Sequence, residues 1–160
     1  GALGHGFTPR EGKRALLVGG GIGIYPLLSI GKLYGGQAKA LLGFRNAALV
    51  NYTGMFGKYG IATSVITDDG SSGRQGFVTE LLTEELNTGR ADIVYVCGPK
   101  PMMAAVARIC ASYGAECEVS MEERMGCGFG ACMGCTIRTR LGDKRVCKEG
   151  PVFFKEELIW

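Results

Sequence analysis

The chain has 160 residues, 46% of them hydrophobic and 21% charged, a composition that fits one globular domain with at most a small appendage. Its net charge of +3 comes from Lys and Arg spread along the sequence, which gives no electrostatic footprint for nucleic acid or a membrane surface. No apolar run approaches the ~18 residues of a membrane span, and Gly1-Ala-Leu-Gly-His-Gly-Phe7 lacks the basic start and apolar stretch of a signal peptide. From Lys13 to Val119, strand-like and helix-like segments alternate. Arg14–Val18 reads as a short apolar strand that ends in Gly19-Gly-Gly-Ile-Gly23, and Leu27–Tyr34 as a helix with Pro26 near its start. Ala38–Phe44 is a second strand, and 46–59 is expected to be a helix weakened by Gly54 and Gly57. Ile61–Thr67, Asp92–Cys97 and Glu116–Val119 complete the strands. Helices over Phe77–Leu86 and Met102–Tyr113 lie between them. Near-continuous apolar strands separated by helices predict an α/β fold: a doubly wound, five-stranded parallel sheet covered on both faces.

After Ser120 the character changes. The segment carries Cys127-x4-Cys132-x2-Cys135-x11-Cys147, the plant-type spacing that holds a [2Fe–2S] cluster. Gly126, Gly128, Gly130 and Gly134 let the loop wrap closely. Four cysteines also suit a structural zinc, although zinc sites more often use two C-x2-C knuckles and only one is present. Thr136–Arg140 and Lys144–Val146 read as a hairpin that returns Cys147 to the loop. Two units are expected, 1–120 for a nucleotide and 121–160 for the metal, and about forty residues of the second need the metal to fold. The remaining cysteines, Cys97, Cys110 and Cys117, read as buried free thiols suited to a reducing cytoplasm.

Gly20, Gly21 and Gly23, with Ile22 between them, sit between a strand and a helix, where backbone amides can face a pyrophosphate. The spacing is not G-x-G-x-x-G. Gly43-Phe-Arg45, Thr67-Asp-Asp-Gly70 and Cys97-Gly-Pro99 end other strands and open on the same carboxyl edge, the ligand edge of doubly wound folds. A reduced nicotinamide gives a hydride pair, whereas a [2Fe–2S] cluster takes one electron. A flavin can bridge the two, and no flavin-binding segment is evident in these residues.

Leu17-Val-Gly-Gly-Gly-Ile-Gly23, Thr67-Asp-Asp-Gly-Ser71, Cys97-Gly-Pro99 with Met102-Met103, Glu122-Glu-Arg-Met-Gly-Cys-Gly128 and Val146-Cys-Lys-Glu-Gly-Pro-Val-Phe153 resemble the electron-transfer subunits of type B dihydroorotate dehydrogenase, in the ferredoxin–NADP reductase superfamily. The resemblance spans essentially the whole chain. It implies an FAD-binding barrel ahead of residue 1, with Gly1–Phe7 as its tail, so that these residues form a fragment inactive alone. It also implies cluster ligands Cys127, Cys132, Cys135 and Cys147, a pyrophosphate held by Gly20–Gly23, and Cys97, Gly98 and Pro99 bordering the nicotinamide. Asp68 or Asp69 falls where phosphate-reading relatives carry Ser and Arg, which favours NADH, and Arg45 argues the other way. Tyr25 stands where many relatives have proline. By the same resemblance the partner is the FMN-containing dihydroorotate dehydrogenase catalytic subunit of pyrimidine biosynthesis, and no residue here acts as a general base. Glu122, Glu123 and Arg124 are read either as ordering the approach to the cluster or as a solvated turn. Phe129, Met133, Phe153 and Phe154 are expected to shield the cluster. The alternatives are a relay that feeds a hydrogenase or another flavoenzyme, and a zinc-stapled nucleotide-binding module.

Overall fold

The computed structural model describes residues 4–160; the first three residues of the expected barrel tail lie outside it. Strand β1 (Ala15–Gly20) is buried at every position, as a strand covered on both faces must be. Parallel to it on either side run β2 (Ala38–Phe44) and β5 (Ile93–Cys97), with Leu17 level with Ala40 and Tyr95. Outside these lie β3 (Ala62–Thr67), against β2, and β6 (Glu116–Ser120), against β5. The five expected parallel strands are therefore present. Two further strands extend the edges, giving seven in one sheet. A two-residue strand β4 (Arg74–Gln75) joins β3 in parallel, and β9 (Val152–Phe154) lies antiparallel on β6. A separate hairpin pairs β7 (Thr136–Thr139) with β8 (Gly142–Arg145).

Side-chain alternation along β1 assigns the faces. Leu17 joins α1 (Ile24–Tyr34) in one apolar cluster with Ala40, Leu42 and Tyr95. Leu16 and Val18 face the other way, into a cluster with Val96, Val119 and the inner sides of α3 (Val78–Asn87) and α4 (Lys100–Ser112). The helix expected over 46–59 does not form. Its place is taken by a 3-10 turn at Ala47–Leu49 and a single helical turn, α2 (Gly54–Gly57). Tyr52, at φ 51°, breaks the path between them, and two glycines in four residues give a longer helix little propensity.

The segment after Ser120 does not stand on its own core. Met121, Cys135, Ile137, Val146, Cys147, Phe153 and Leu158 all belong to the apolar cluster of the sheet's α3–α4 face. Burial of these side chains supplies folding free energy that the metal need not provide. The N-terminal segment is tied to the same edge. His5 N–H donates to Gly150 O at 2.6 Å, Val152 N–H donates to His5 O at 3.2 Å, and the Phe7 ring meets Tyr95 edge-on at 5.2 Å. Glu118, 1% exposed, accepts from Thr8 N–H at 2.9 Å and from Arg10 at 3.2 Å. Burial pushes its carboxyl above the usual range, and these donors offset part of that cost. The Tyr95 hydroxyl donates to Thr8 O at 2.7 Å, which completes a buried polar clamp on residues 8–10.

Candidate cofactor edge and cysteine loop

All parallel strands end on one edge, and the strand order reverses between β1 and β5. That crevice is where doubly wound sheets bind ligands. Gly21–Gly23 forms a 3-10 turn leading into α1, directly opposite the β5 loop. A Cβ on Gly23 would lie 2.4 Å from Cys97 O and 2.7 Å from Gly98 N, so only glycine lets the two loops close on each other. The N-termini of α1 and α4 both face the crevice, and helix N-termini favour anions.

Two clefts open from this point. One, of about 500 Å³, runs from Gly20–Gly23 past Cys97, Gly98 and Pro99 to Lys100 and Glu122–Arg124. The other, of about 630 Å³, shares Gly20, Gly21 and Pro99 and leads to Arg45, Asp68 and Phe77. Every expected nucleotide residue except Asp69 lines one or both of them. Asp69 instead accepts from Ser71 N–H at 2.9 Å and from the Ser71 hydroxyl, bonds that hold its carboxylate below the usual range. Asp68 is exposed in the second cleft, and no ion pair joins it to Arg45. Cys97 is half-buried rather than a core thiol, and burial pushes its thiol up. Lys100 and Phe77 were not singled out by sequence. A lysine at the first helical position and an aromatic before a helix carry no motif, and only their position on the edge marks them.

The cysteine loop is built from two pairs. Cys127 Sγ accepts from the N–H groups of Ala131 (3.3 Å) and Cys132 (3.4 Å). The backbone N–H of Cys132 and then that of Phe129 bring the Cys127 thiol down to about 6. Cys147 N–H donates to Cys135 Sγ at 3.4 Å, and the adjoining Cys135 thiol pushes that of Cys147 up. Two adjacent thiol pairs, with loop amides aimed at sulfur, fit a cluster of two metals with two thiolates each. The positive charge of the metals would also relieve the repulsion between neighbouring thiolates. Phe129 and Met133 are 64% and 53% exposed, so they rim the loop rather than shield it. Phe153 is buried on β9, level with Val119 of the neighbouring β6, and Phe154 lies beneath Arg10, with 5.9 Å from guanidinium to ring centroid.

The comparisons with known proteins agree with this geometry. Residues 122–159 match the family described as the iron-sulfur cluster binding domain of dihydroorotate dehydrogenase B, and residues 57–108 match the oxidoreductase NAD-binding domain. The electron transfer subunit of dihydroorotate dehydrogenase B (NAD(+)) from Caldanaerobacter subterraneus subsp. tengcongensis is 44% identical over all of this chain. That from Bacillus velezensis is 44% identical over 99% of it. Over its whole length the chain is similar to these electron transfer subunits, and residues 122–159 match the family's iron-sulfur domain. It spans 65% and 63% of the length of those two relatives. A solved NADH-dependent reduced ferredoxin-NADP oxidoreductase superimposes with a TM-score of 0.85 at 28% identity, over all of this chain and 59% of that one. The C-terminal domain of a Pyrococcus furiosus hydrogenase, 17% identical with a TM-score of 0.58 over 76% of this chain, shares the fold. No described helix is long and apolar enough to cross a membrane.

Within the family's cluster-binding segment, Arg145 acts as the brace of the loop. Its Nη1 donates to Gly130 O at 2.6 Å and its Nε to Glu149 Oε2 at 3.0 Å, with a second bond to Glu149 Oε1. The same pair holds the Glu149 carboxyl down to about 2, so it stays charged at neutral pH. Arg145→Ala is expected to free the Gly130 carbonyl and loosen the loop. Loss of visible absorption under a chelator should then run about tenfold faster than in the parent, the usual scale for a residue that orients metal ligands.

Proposed function

We propose that the chain carries electrons from NADH, by way of FAD held outside residues 1–160, to a [2Fe–2S] cluster on Cys127, Cys132, Cys135 and Cys147. From there they pass to the FMN-containing catalytic subunit of a dihydroorotate dehydrogenase in the cytoplasm. One observation carries this reading: the nucleotide cleft and the cluster loop share a wall. Glu122, Glu123 and Arg124 line the cleft that begins at Gly20–Gly23, and Cys127 follows three residues later. Their place on that wall supports the reading that they order the approach to the cluster.

Each residue here has a positioning task. Gly20–Gly23 and the α4 N-terminus hold the pyrophosphate, and Cys97, Gly98 and Pro99 border the nicotinamide. The N–H groups of Ala131, Cys132 and Cys147 steady the ligating sulfurs. When bound, the cluster supplies a one-electron carrier. No side chain is required as a general base, and the protein's work is binding, orientation and redox tuning. Residues 1–120 serve the nucleotide and 121–160 the cluster, on one continuous core.

NADH binding to this chain without reduction of its cluster, followed by rapid bleaching once a flavin reductase domain of the same family is added, is the expected outcome. Bleaching by NADH alone would remove the need for a flavin. Asp68 supports NADH over NADPH, because a carboxylate suits ribose hydroxyls and repels a 2′-phosphate. Asp68→Asn should therefore narrow the ratio of the two dissociation constants about tenfold, most of it through tighter NADPH binding.

A further inference from the structure

A third cleft, of about 480 Å³, shares no residue with the cofactor edge. It lies between the C-terminal half of α4 and the tail after β9. Because α4 starts at the carboxyl edge and runs back along the sheet, this half points toward the opposite edge. Ala107 and Ala111, one turn apart, leave a shallow channel on the helix, and Leu158 closes its floor at 3% exposure.

The walls carry cations from three distant segments. Arg108 comes from α4, Arg140 from the turn between β7 and β8, and Lys155 from just beyond β9. The Lys155 side chain is only 11% exposed, and its ammonium pairs with Glu156, the one carboxylate lining the cleft. Arg108 donates through Nε to Ala104 O at 3.3 Å, which leaves its terminal nitrogens free. Arg140 has no side-chain partner among the described residues. Three cationic side chains against one acidic side chain leave the lining net positive, which an anion would match. Trp160, the sole tryptophan, forms the remaining wall with a flat apolar surface. An indole beside guanidinium forks suits a planar ring that carries a phosphate group.

We propose that this cleft is a second binding site, for a small phosphate monoester bearing a planar ring, with Arg108, Arg140 and Lys155 on the phosphate and Trp160 against the ring. The size of the cleft is within the range of small-ligand sites. This inference does not rest on the relay reading, and its test uses no cofactor chemistry.

The probe is phenyl phosphate, read by the fluorescence of Trp160 and in parallel by calorimetry. Saturable binding, weaker with rising salt and at least about tenfold weaker in an Arg108→Ala/Arg140→Ala double variant, is the expected result. Both arginines are exposed, so the variant should keep the circular dichroism and melting temperature of the parent. Trp160→Ala should lose the advantage of phenyl phosphate over inorganic phosphate while still binding the latter. Absence of saturable binding, an unchanged affinity in the double variant, or equal affinity for inorganic and phenyl phosphate in the parent would each overturn the proposal.

Discussion

A Cys132→Ala variant is expected to lose the visible absorption of the cluster completely and to melt roughly 10 °C lower than the loaded parent. It should nevertheless match the metal-free parent in stability. Cys132 is exposed at the tip of the loop and contributes nothing to the core of the sheet. The whole difference between loaded parent and variant is therefore the contribution of the bound metal. Cys147→Ala gives the contrast. Cys147 is 4% exposed and packs with Phe153 and Val146 in the cluster that also contains Val119 of β6. Its truncation opens a small cavity beside the sheet, so the metal-free variant should fall below the metal-free parent by ~1 kcal/mol. Thermal melts of all four forms separate the two effects. Equal losses for Cys132 and Cys147 in the metal-free state would show that the loop and sheet do not share a core.

Gly23→Ala is expected to damage both the nucleotide site and the fold. The added methyl meets backbone on the far side, Cys97 O at 2.4 Å and Gly98 N at 2.7 Å, and backbone cannot rotate away as a side chain can. The turn into α1 must back off from β5, at a cost of ~2–3 kcal/mol. NADH affinity should fall about a hundredfold, because the amides at the start of α1, proposed to face the pyrophosphate, would be displaced. Gly21→Ala is the control for stability. At φ 57° an alanine there carries ~1 kcal/mol of backbone strain but meets no atom within 4 Å. The ordering Gly23 worse than Gly21, measured by melting and by NADH titration on folded protein, is the result that supports the close approach of the β1 and β5 loops.

The sheet was legible because its pattern is strong. A strand buried at every residue, such as β1, reads as a continuous apolar run, and the Gly-rich turn after it marks the crevice at the point where strand order reverses. The cysteines were legible as candidate ligands because holding two irons would require a spacing of this kind. What sequence did not show depends on contacts between distant segments. β9 is three residues long, and only its pairing with β6, more than thirty residues earlier, makes it a strand. For the same reason the segment after Ser120 looked too small for a core of its own, when it completes the core of its neighbour. Asp68 and Asp69 are adjacent and chemically identical in sequence. Ser71 takes up the second and leaves the first to the cleft. Phe77 and Lys100 became visible only when the helices they begin were placed on the carboxyl edge.

The most direct measurement is the metal content and visible spectrum of anaerobically purified protein. About two irons and two sulfides per chain, with broad absorption that bleaches on reduction by dithionite, is the result expected for a [2Fe–2S] cluster on Cys127, Cys132, Cys135 and Cys147. A colourless protein holding one zinc per chain would contradict it, and with it the relay from nucleotide cleft to cysteine loop.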